Sequence, residues 1–410
     1  MIDITRRSLL GTAALASAAP LAARAQGAPA LKIGVLTDMS GPYKDLGGPF
    51  AALCARQAIE DFGADAQGIR TEVVVADHQN KPDIGAGLAR QWFDRDGVDL
   101  IVEVANSGVG LAVAGVAKDK NKVYCNSGAA TSELTNAQCN PNTIHWAYDT
   151  YMLAKSTGGA MVKAGGDSWF FVTADYTFGH TLTREATQFI TAAGGKVLGE
   201  NDYPFPGTSD FSSQLLQGQA SGAKVIGLAS AGTDTITQIK QAREFGLGQQ
   251  GIRLAGLLVF ITDIHAIGLD TAQGLVVTNS FYWDANDRTR ALAERLKPKA
   301  PTLRPSMVQA GVYSSVLHYL KTAAAMGAAA AKADGAAAVE RMKAMPTDDD
   351  AFGPGSIRKD GRKLHPSFLY QVKTPAESRY AWDYYKLLAT TPADQAFRPL
   401  SESKCSLAAS

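Results

Sequence analysis

The sequence predicts an α/β protein built as two doubly wound lobes, on three observations. Short apolar runs with little alternation, such as LKIGVLTD (31–38) and VDLIVEVAN (98–106), read as strands buried on both faces. Each is followed by a stretch of helical spacing, and strands that alternate with helices form parallel sheets. The series restarts near residue 150, and a chain of 410 residues is long enough for about two separate cores.

In order, strand 31–38 leads to a helix over 49–62, TEVVVADH (71–78) to a helix over 83–94, and VDLIVEVAN to a helix over 109–120, with NKVYC (121–125) as a fourth strand. The second series has a helix over 150–163, SWFFVTAD (168–175), a helix over 178–193, KVLGEN (196–201) and a helix over 210–221. AKVIGLAS (223–230), a helix over 234–245, GIRLAGLLVF (251–260) and GLVVTNSFYW (274–283) follow. Helices are expected over 288–297, 305–331 and 336–345, then the aromatic-rich strands PSFLYQV (366–372) and RYAWDYYKLL (379–388). The Ala-rich run 323–338 reads as tightly packed helix, since Ala is the best helix former.

Charge and composition exclude several classes. With 40 Lys+Arg against 39 Asp+Glu, no basic field exists to neutralise many phosphates, so a general nucleic-acid binder is excluded. At 46% hydrophobic residues the chain folds, and four Cys without a C-x-x-C pair make neither a disulfide-dense scaffold nor a zinc or thioredoxin-like motif. At the start, Thr5-Arg6-Arg7-Ser8-Leu9-Leu10 precedes an Ala/Leu-rich stretch ending Ala23-Arg24-Ala25, which reads as a signal peptide over 1–25, similar to the twin-arginine type. The expected location is therefore the periplasm, where disulfides are allowed. Removing Asp3, Arg6, Arg7 and Arg24 with that leader leaves a near-neutral mature chain.

Enzyme signatures are missing: the sequence holds no G-x-x-x-x-G-K-[S/T], G-x-S-x-G or H-E-x-x-H, and its six His residues are scattered. No catalytic residue, metal site or cofactor is therefore expected. Asp348-Asp349-Asp350, next to Pro346 and Gly353-Pro354, reads as a solvated turn. The informative loops lie where strands meet helices. Asn106-Ser107-Gly108-Val109-Gly110 misses the dinucleotide spacing, but Ser107 can cap a helix whose N–H groups suit a carboxylate. Cys125-Asn126-Ser127-Gly128-Ala129-Ala130-Thr131-Ser132-Glu133 is a second such loop, with a hydroxyl at Thr131 and Glu133 at capping-box distance from Ala130. Loops at the carboxyl ends of strands form the crevice of open α/β sheets, so the pair reads as a carboxylate cradle.

The segments LKIGVLTDMSGPY, SGAATSELT, DYTFG, YPFPGTSDFSSQL, SGAKVIGLA, KQAREFGL and FGPGSIRKDGR together resemble the periplasmic substrate-binding proteins of ABC transporters in the branched-chain amino acid (leucine/isoleucine/valine-binding-like) family. That resemblance implies a three-segment hinge near 146–149, 281–285 and 350–353. It divides the chain into an N-terminal lobe of 31–147 plus 284–350 and a C-terminal lobe of 148–283 plus 351–405. The implied ligand residues are Asn106, Ser107, Gly128, Ala129 and Thr131 on one lobe. On the other they lie in Asp175–Gly179, which holds Tyr176 and Phe178, in 231–233, and in 261–263 with Thr262. Asp263 stands nearest the acid that pairs a ligand ammonium in amino-acid-binding members, although it is not the family's Glu. The first-loop aromatic is displaced to Tyr43, with Leu46 at the family position.

Tyr43, Trp146, Tyr148, Tyr151, Tyr176, Phe178, Phe281, Tyr282 and Trp283 lie in or beside these segments and suit an apolar or aromatic carboxylate, at least half of them serving in ordinary packing. In the same frame Cys139 and Cys405 are expected to pair near the hinge, while Cys54 and Cys125 read as small buried apolar residues. The function implied is a monomeric extracytoplasmic receptor without chemistry of its own, which captures a small carboxylate by closure and delivers it to membrane permease subunits. Two rivals share the sequence features: a ligand-sensing domain for a receptor, and an exported α/β enzyme.

Overall fold

The computed structural model describes residues 30–408, so the expected leader at 1–25 lies outside the described residues. Strands β1 (Leu31–Thr37), β2 (Thr71–Asp77), β3 (Leu100–Glu103), β4 (Val123–Asn126) and β5 (Thr143–His145) form an all-parallel sheet in the order β2-β1-β3-β4-β5. Strands β6 (Ser168–Ala174), β7 (Lys196–Tyr203), β8 (Val225–Ala229) and β9 (Arg253–Gly256) form a second parallel sheet in the order β7-β6-β8-β9. The two orders match, which is the architecture that the restarting pattern predicts.

Each order reverses direction between its first and third strands in chain sequence. In an open α/β sheet the crevice opens at that point, outside the carboxyl ends of the strands. The first sheet thus directs the loops after β1 and β3 into one crevice, and the second does so with those after β6 and β8. Short helices flank these loops: Gly48–Phe62 after β1, Ser107–Asp119 after β3, Thr177–Ala192 after β6 and Thr233–Glu244 after β8. The long Met307–Met326 helix packs on Gly48–Phe62 and returns the later chain to the first sheet.

Strand β10 (Val276–Asn279) joins neither parallel sheet. A two-stranded hairpin, β11 (Ser356–Ile357) with β12 (Lys363–Leu364), precedes β13 (Ser367–Val372) and β14 (Tyr385–Thr391), and β10-β13-β14 is an antiparallel sheet.

Several elements differ from expectation. Where helices over 305–331 and 336–345 were expected there are three: Gly327 at φ 91° ends Met307–Met326 and starts Ala328–Ala333, and Asp334 caps Gly335–Ala344 by accepting from the Ala337 N–H. Ala propensity is overridden by a residue that leaves helical space without penalty and by an Asp that favours a cap. The strand expected from residue 379 starts only at Tyr385, after a turn in which Trp382 has φ 70°. The helix over 150–163 is interrupted by a wider turn at Ala154–Gly158. Asp348-Asp349-Asp350 is not a plain solvated turn either. Asp349 is buried, accepting from the Ser314 hydroxyl at 2.6 Å and from the Ala351 and Phe352 N–H groups, while Asp348 and Asp350 both pair with Arg288.

Cys139 and Cys405 form a disulfide across 266 residues of sequence, and Cys54 and Cys125 are buried free thiols. Beside the bridge the Lys404 N–H donates to Asn136, so the tail is pinned to the loop that follows the second candidate ligand loop. Arg362 is fully buried under residues 146–149. Its guanidinium donates to the carbonyls of Trp146 and Tyr148, reaches Asp149 at 3.4 Å and lies 4.1 Å from the Phe397 ring centre. No helix among the described residues is long and apolar enough to cross a membrane.

Candidate functional site

The four crevice loops meet. Tyr43, in the loop after β1, and Tyr176, in the loop after β6, place their hydroxyls 2.5 Å apart, and Phe205 stacks on both rings at 5.3 and 4.6 Å between centroids. The Thr233 N–H, after β8, donates to the Pro42 carbonyl at 3.1 Å. Between the two sheets a small cleft is lined by Tyr43, Leu46, Ala105, Gly128, Tyr148, Tyr176, Phe178 and Leu258, with Ala130 and Ala231 completing it. Its free volume is about 10 Å³, the space of one water.

Of the residues expected to hold a ligand, Tyr43, Gly128, Tyr148, Tyr176 and Phe178 line this cleft. The Tyr148 hydroxyl donates to the Gly128 carbonyl at 2.6 Å and so fixes both side and main chain of the wall. Of the nine aromatics expected near the crevice, those lining it are Tyr43, Tyr148, Tyr176 and Phe178. Trp146 instead donates to Ser314, and Tyr282 and Trp283 both donate to the Trp382 carbonyl, which is packing.

The two hydroxyl-bearing loops are brought together as well. The Thr131 N–H donates to Ser107 Oγ at 3.2 Å, and Thr131 Oγ1 lies 3.5 Å from Thr181 Oγ1 on the helix after β6. Local capping differs from expectation. Asn106, not Ser107, caps the Ser107–Asp119 helix by accepting from the Val109 N–H at 3.1 Å, and Thr131, not Ala130, caps Ser132–Thr135. With the Asn106 amide oxygen accepting from the Val109 N–H, Ser107 Oγ is left to accept from the Thr131 N–H. The Ala129 N–H donates to Asn126 at 2.9 Å, and its methyl faces Gly110.

Thr262 and Asp263 start the Ile261–Ile267 helix, behind Leu258. Asp263 accepts from the Phe260 N–H at 2.9 Å and thus caps its own helix; Thr262 Oγ1 is buried without a hydrogen-bond partner. Burial pushes the Asp263 carboxyl up to about 7, with the Phe260 N–H pulling it down and Asp45 adding to the rise. Burial likewise raises the Tyr43, Tyr148 and Tyr176 hydroxyls, so all three are neutral donors.

Outside the cleft wall, further contacts run between the same loops. The Ser132 hydroxyl donates to Glu185 at 2.6 Å, and Arg184 pairs with Glu133 at 2.9 Å. Ala105 and Leu258 are wall residues with no chemical signature in sequence, while Leu46, at the family's aromatic position, and Ala130, in the second loop, were placed near the site by resemblance and loop position.

The periplasmic binding protein family model matches residues 30–378. A crystal structure of a periplasmic binding protein from Burkholderia mallei is 48% identical, covers 93% of this chain and 100% of that one, and superposes with a TM-score of 0.89. A branched chain amino acid ABC transporter periplasmic ligand-binding protein from Burkholderia xenovorans LB400 is 39% identical, with 92% and 100% coverage and a TM-score of 0.81. Leu/Ile/Val-binding protein homolog 6 of Brucella melitensis is 27% identical over 370 residues, 88% of this chain and 92% of the relative. Two parallel sheets of matching strand order, with their reversal points face to face across an aromatic cleft, and a family match over most of the chain lead to one conclusion: this chain belongs to the periplasmic binding protein family.

Proposed function

We propose that the protein is the extracytoplasmic solute receptor of an ABC importer, that it binds a small carboxylate, an aromatic acid or an apolar amino acid, by closing two lobes over it, and that it hands the ligand to the permease subunits. The observation that carries this reading is the cleft, whose wall comes from loops of both parallel sheets. A ligand that touches both sides stabilises the closed arrangement more than the open one, and differential contact is what drives such a closure. With the cleft reduced to about 10 Å³, a ligand of ring size enters only if Tyr43 and Tyr176 part, so the lobes must swing.

The lobes are 31–147 with 284–350, and 148–283 with 351–405, and the chain passes between them near 146–149, 281–285 and 350–353. Ser107 and Thr131 hold the ligand carboxylate by hydroxyl and main-chain N–H, and the four aromatic wall residues surround its body. No basic side chain is among the wall residues, which suits one carboxylate held by neutral donors. The protein acts as a monomer in the periplasm and does no chemistry on the ligand.

A thermal-shift screen of aromatic acids, short aliphatic acids and amino acids identifies the ligand. At about 100 times its dissociation constant a binder stabilises by roughly 2.7 kcal/mol. The Ser107→Ala, Thr131→Ala double variant is then expected to bind about 100-fold more weakly, for two charge-assisted hydrogen bonds lost. Unchanged affinity would remove the carboxylate assignment, and turnover of the ligand would replace the receptor reading with an enzyme.

A further inference from the structure

Strand β3 ends in an acid. Glu103 sits at the reversal point of the first sheet with its side chain fully buried; the Thr37 hydroxyl and the Val104 and Ala105 N–H groups lie beside its carboxyl, but none reaches either oxygen with good hydrogen-bond geometry. An unpaired buried polar group carries a desolvation penalty, so its retention calls for an explanation. The backbone around it is strained as well. Glu103 and Val104 have φ 80° and 61°, a region costing on the order of 1–3 kcal/mol per residue without glycine. The Ser127 and Gly128 N–H groups donate to the Glu103 carbonyl and hold that bend.

Two glycines leave room for the carboxyl. A Cβ at Gly128 would lie 2.5 Å from Glu103 Oε1, and one at Gly47 would lie 2.6 Å from it. Gly128 lines the cleft, as do Leu46, next to Gly47, and Ala105, two residues on from Glu103. The groups acting on the carboxyl are the Thr37 hydroxyl, the Val104 and Ala105 amides and Asp38, while Tyr124 of β4 and Tyr148 feel its charge; none is basic. Burial outweighs the amides and pushes Glu103 up to about 8, so at neutral pH it carries a proton and can donate it.

We propose that Glu103 is a specificity residue behind the Gly47 and Gly128 wall of the cleft, donating a hydrogen bond to a ligand acceptor oxygen other than those held by Ser107 and Thr131. The favoured ligands are then small acids with a hydroxyl, keto or second carboxyl group besides the bound carboxylate. This rests on the carboxylate reading above.

Calorimetric titration of the mature protein at pH 7 with two matched pairs, benzoate against 4-hydroxybenzoate and pentanoate against glutarate, tests it. The polar member of at least one pair is expected to bind tenfold or more tightly. Glu103→Leu should abolish that preference and leave the plain acid within about threefold. Glu103→Gln should keep it, and its preference should not change between pH 7 and 9, whereas that of the wild type declines as Glu103 ionises. If Glu103→Leu does not fold, the two pH profiles decide. Binding of the plain acids with no preference, a preference that survives Glu103→Leu, or tighter binding of 4-(aminomethyl)benzoate with proton release each overturns the proposal. Failure of all four acids to bind overturns the carboxylate reading, and this proposal with it.

Discussion

Tyr43 and Tyr176 donate and accept across the cleft at 2.5 Å, one from the loop after β1 and the other from the loop after β6. The bond joins two sheets that share no strand, so it forms only when these sheets face each other at this separation. Tyr43→Phe is expected to remove about 1 kcal/mol from the closed arrangement and weaken ligand affinity about fivefold. The Tyr43→Phe, Tyr176→Phe pair should cost less than the sum of its members, because neither hydroxyl is then left alone. Calorimetric affinities of the three variants check this, and additive losses would count against it.

Arg362 has a different task. It is a buried cation whose donors satisfy the carbonyls of Trp146 and Tyr148 beside Asp149. Arg362→Met leaves that carboxylate and both carbonyls without it, so a loss of about 3–5 kcal/mol is expected in urea unfolding. A loss below 1 kcal/mol would show that water replaces the guanidinium.

The Cys139–Cys405 bridge ties the tail to the loop after Thr131. Reduction, or Cys139→Ser with Cys405→Ser, is expected to lower stability by about 2–5 kcal/mol, since the open chain regains its freedom when unfolded. Differential scanning calorimetry with and without reductant measures it; an unchanged midpoint would mean the tail is held by its hydrogen bonds alone.

Asp263 gives stability a pH dependence of stated sign. Its folded value, about 7, stands above the ordinary carboxylate value of 3.8, so the folded state holds a proton that the unfolded state releases. Its contribution is therefore present below pH about 4 and is lost as pH rises toward 7. Asp263→Asn keeps an acceptor for the Phe260 N–H and removes the titration. Urea midpoints at pH 5, 6 and 8 should show the wild type losing ground to this variant as pH rises; parallel curves would refute the assignment.

Much of this was legible in sequence because burial on both faces leaves a readable mark. Runs such as SWFFVTA and VIGLA, short and rich in apolar residues between helical stretches, fit a covered parallel strand, and they became β6 and β8. Loop chemistry was legible to the level of residue type: Asn106, Ser107 and Thr131 stand where strand ends meet helix starts, and the fold presses Ser107 against the Thr131 N–H. Which of several neighbouring polar groups takes the cap was not, because Asn106 and Ser107 are adjacent residues that both favour the N-cap. The break at Gly327 was missed for a related reason, as propensity speaks for each residue while Gly327 speaks for the chain path.

By itself, then, the sequence determined the α/β character, the two successive sheets and the small-residue loops at strand ends, because these follow from local periodicity and turn chemistry. Tertiary structure alone decided that Ala105 and Leu258 join the wall, and that Asp263 turns to its own helix. It also set the buried Glu103 carboxyl behind Gly47 and Gly128. The physical reason is that a reversal in strand order juxtaposes loops far apart in the chain, such as those of Tyr43 and Ala105, and no local pattern encodes which strands become neighbours.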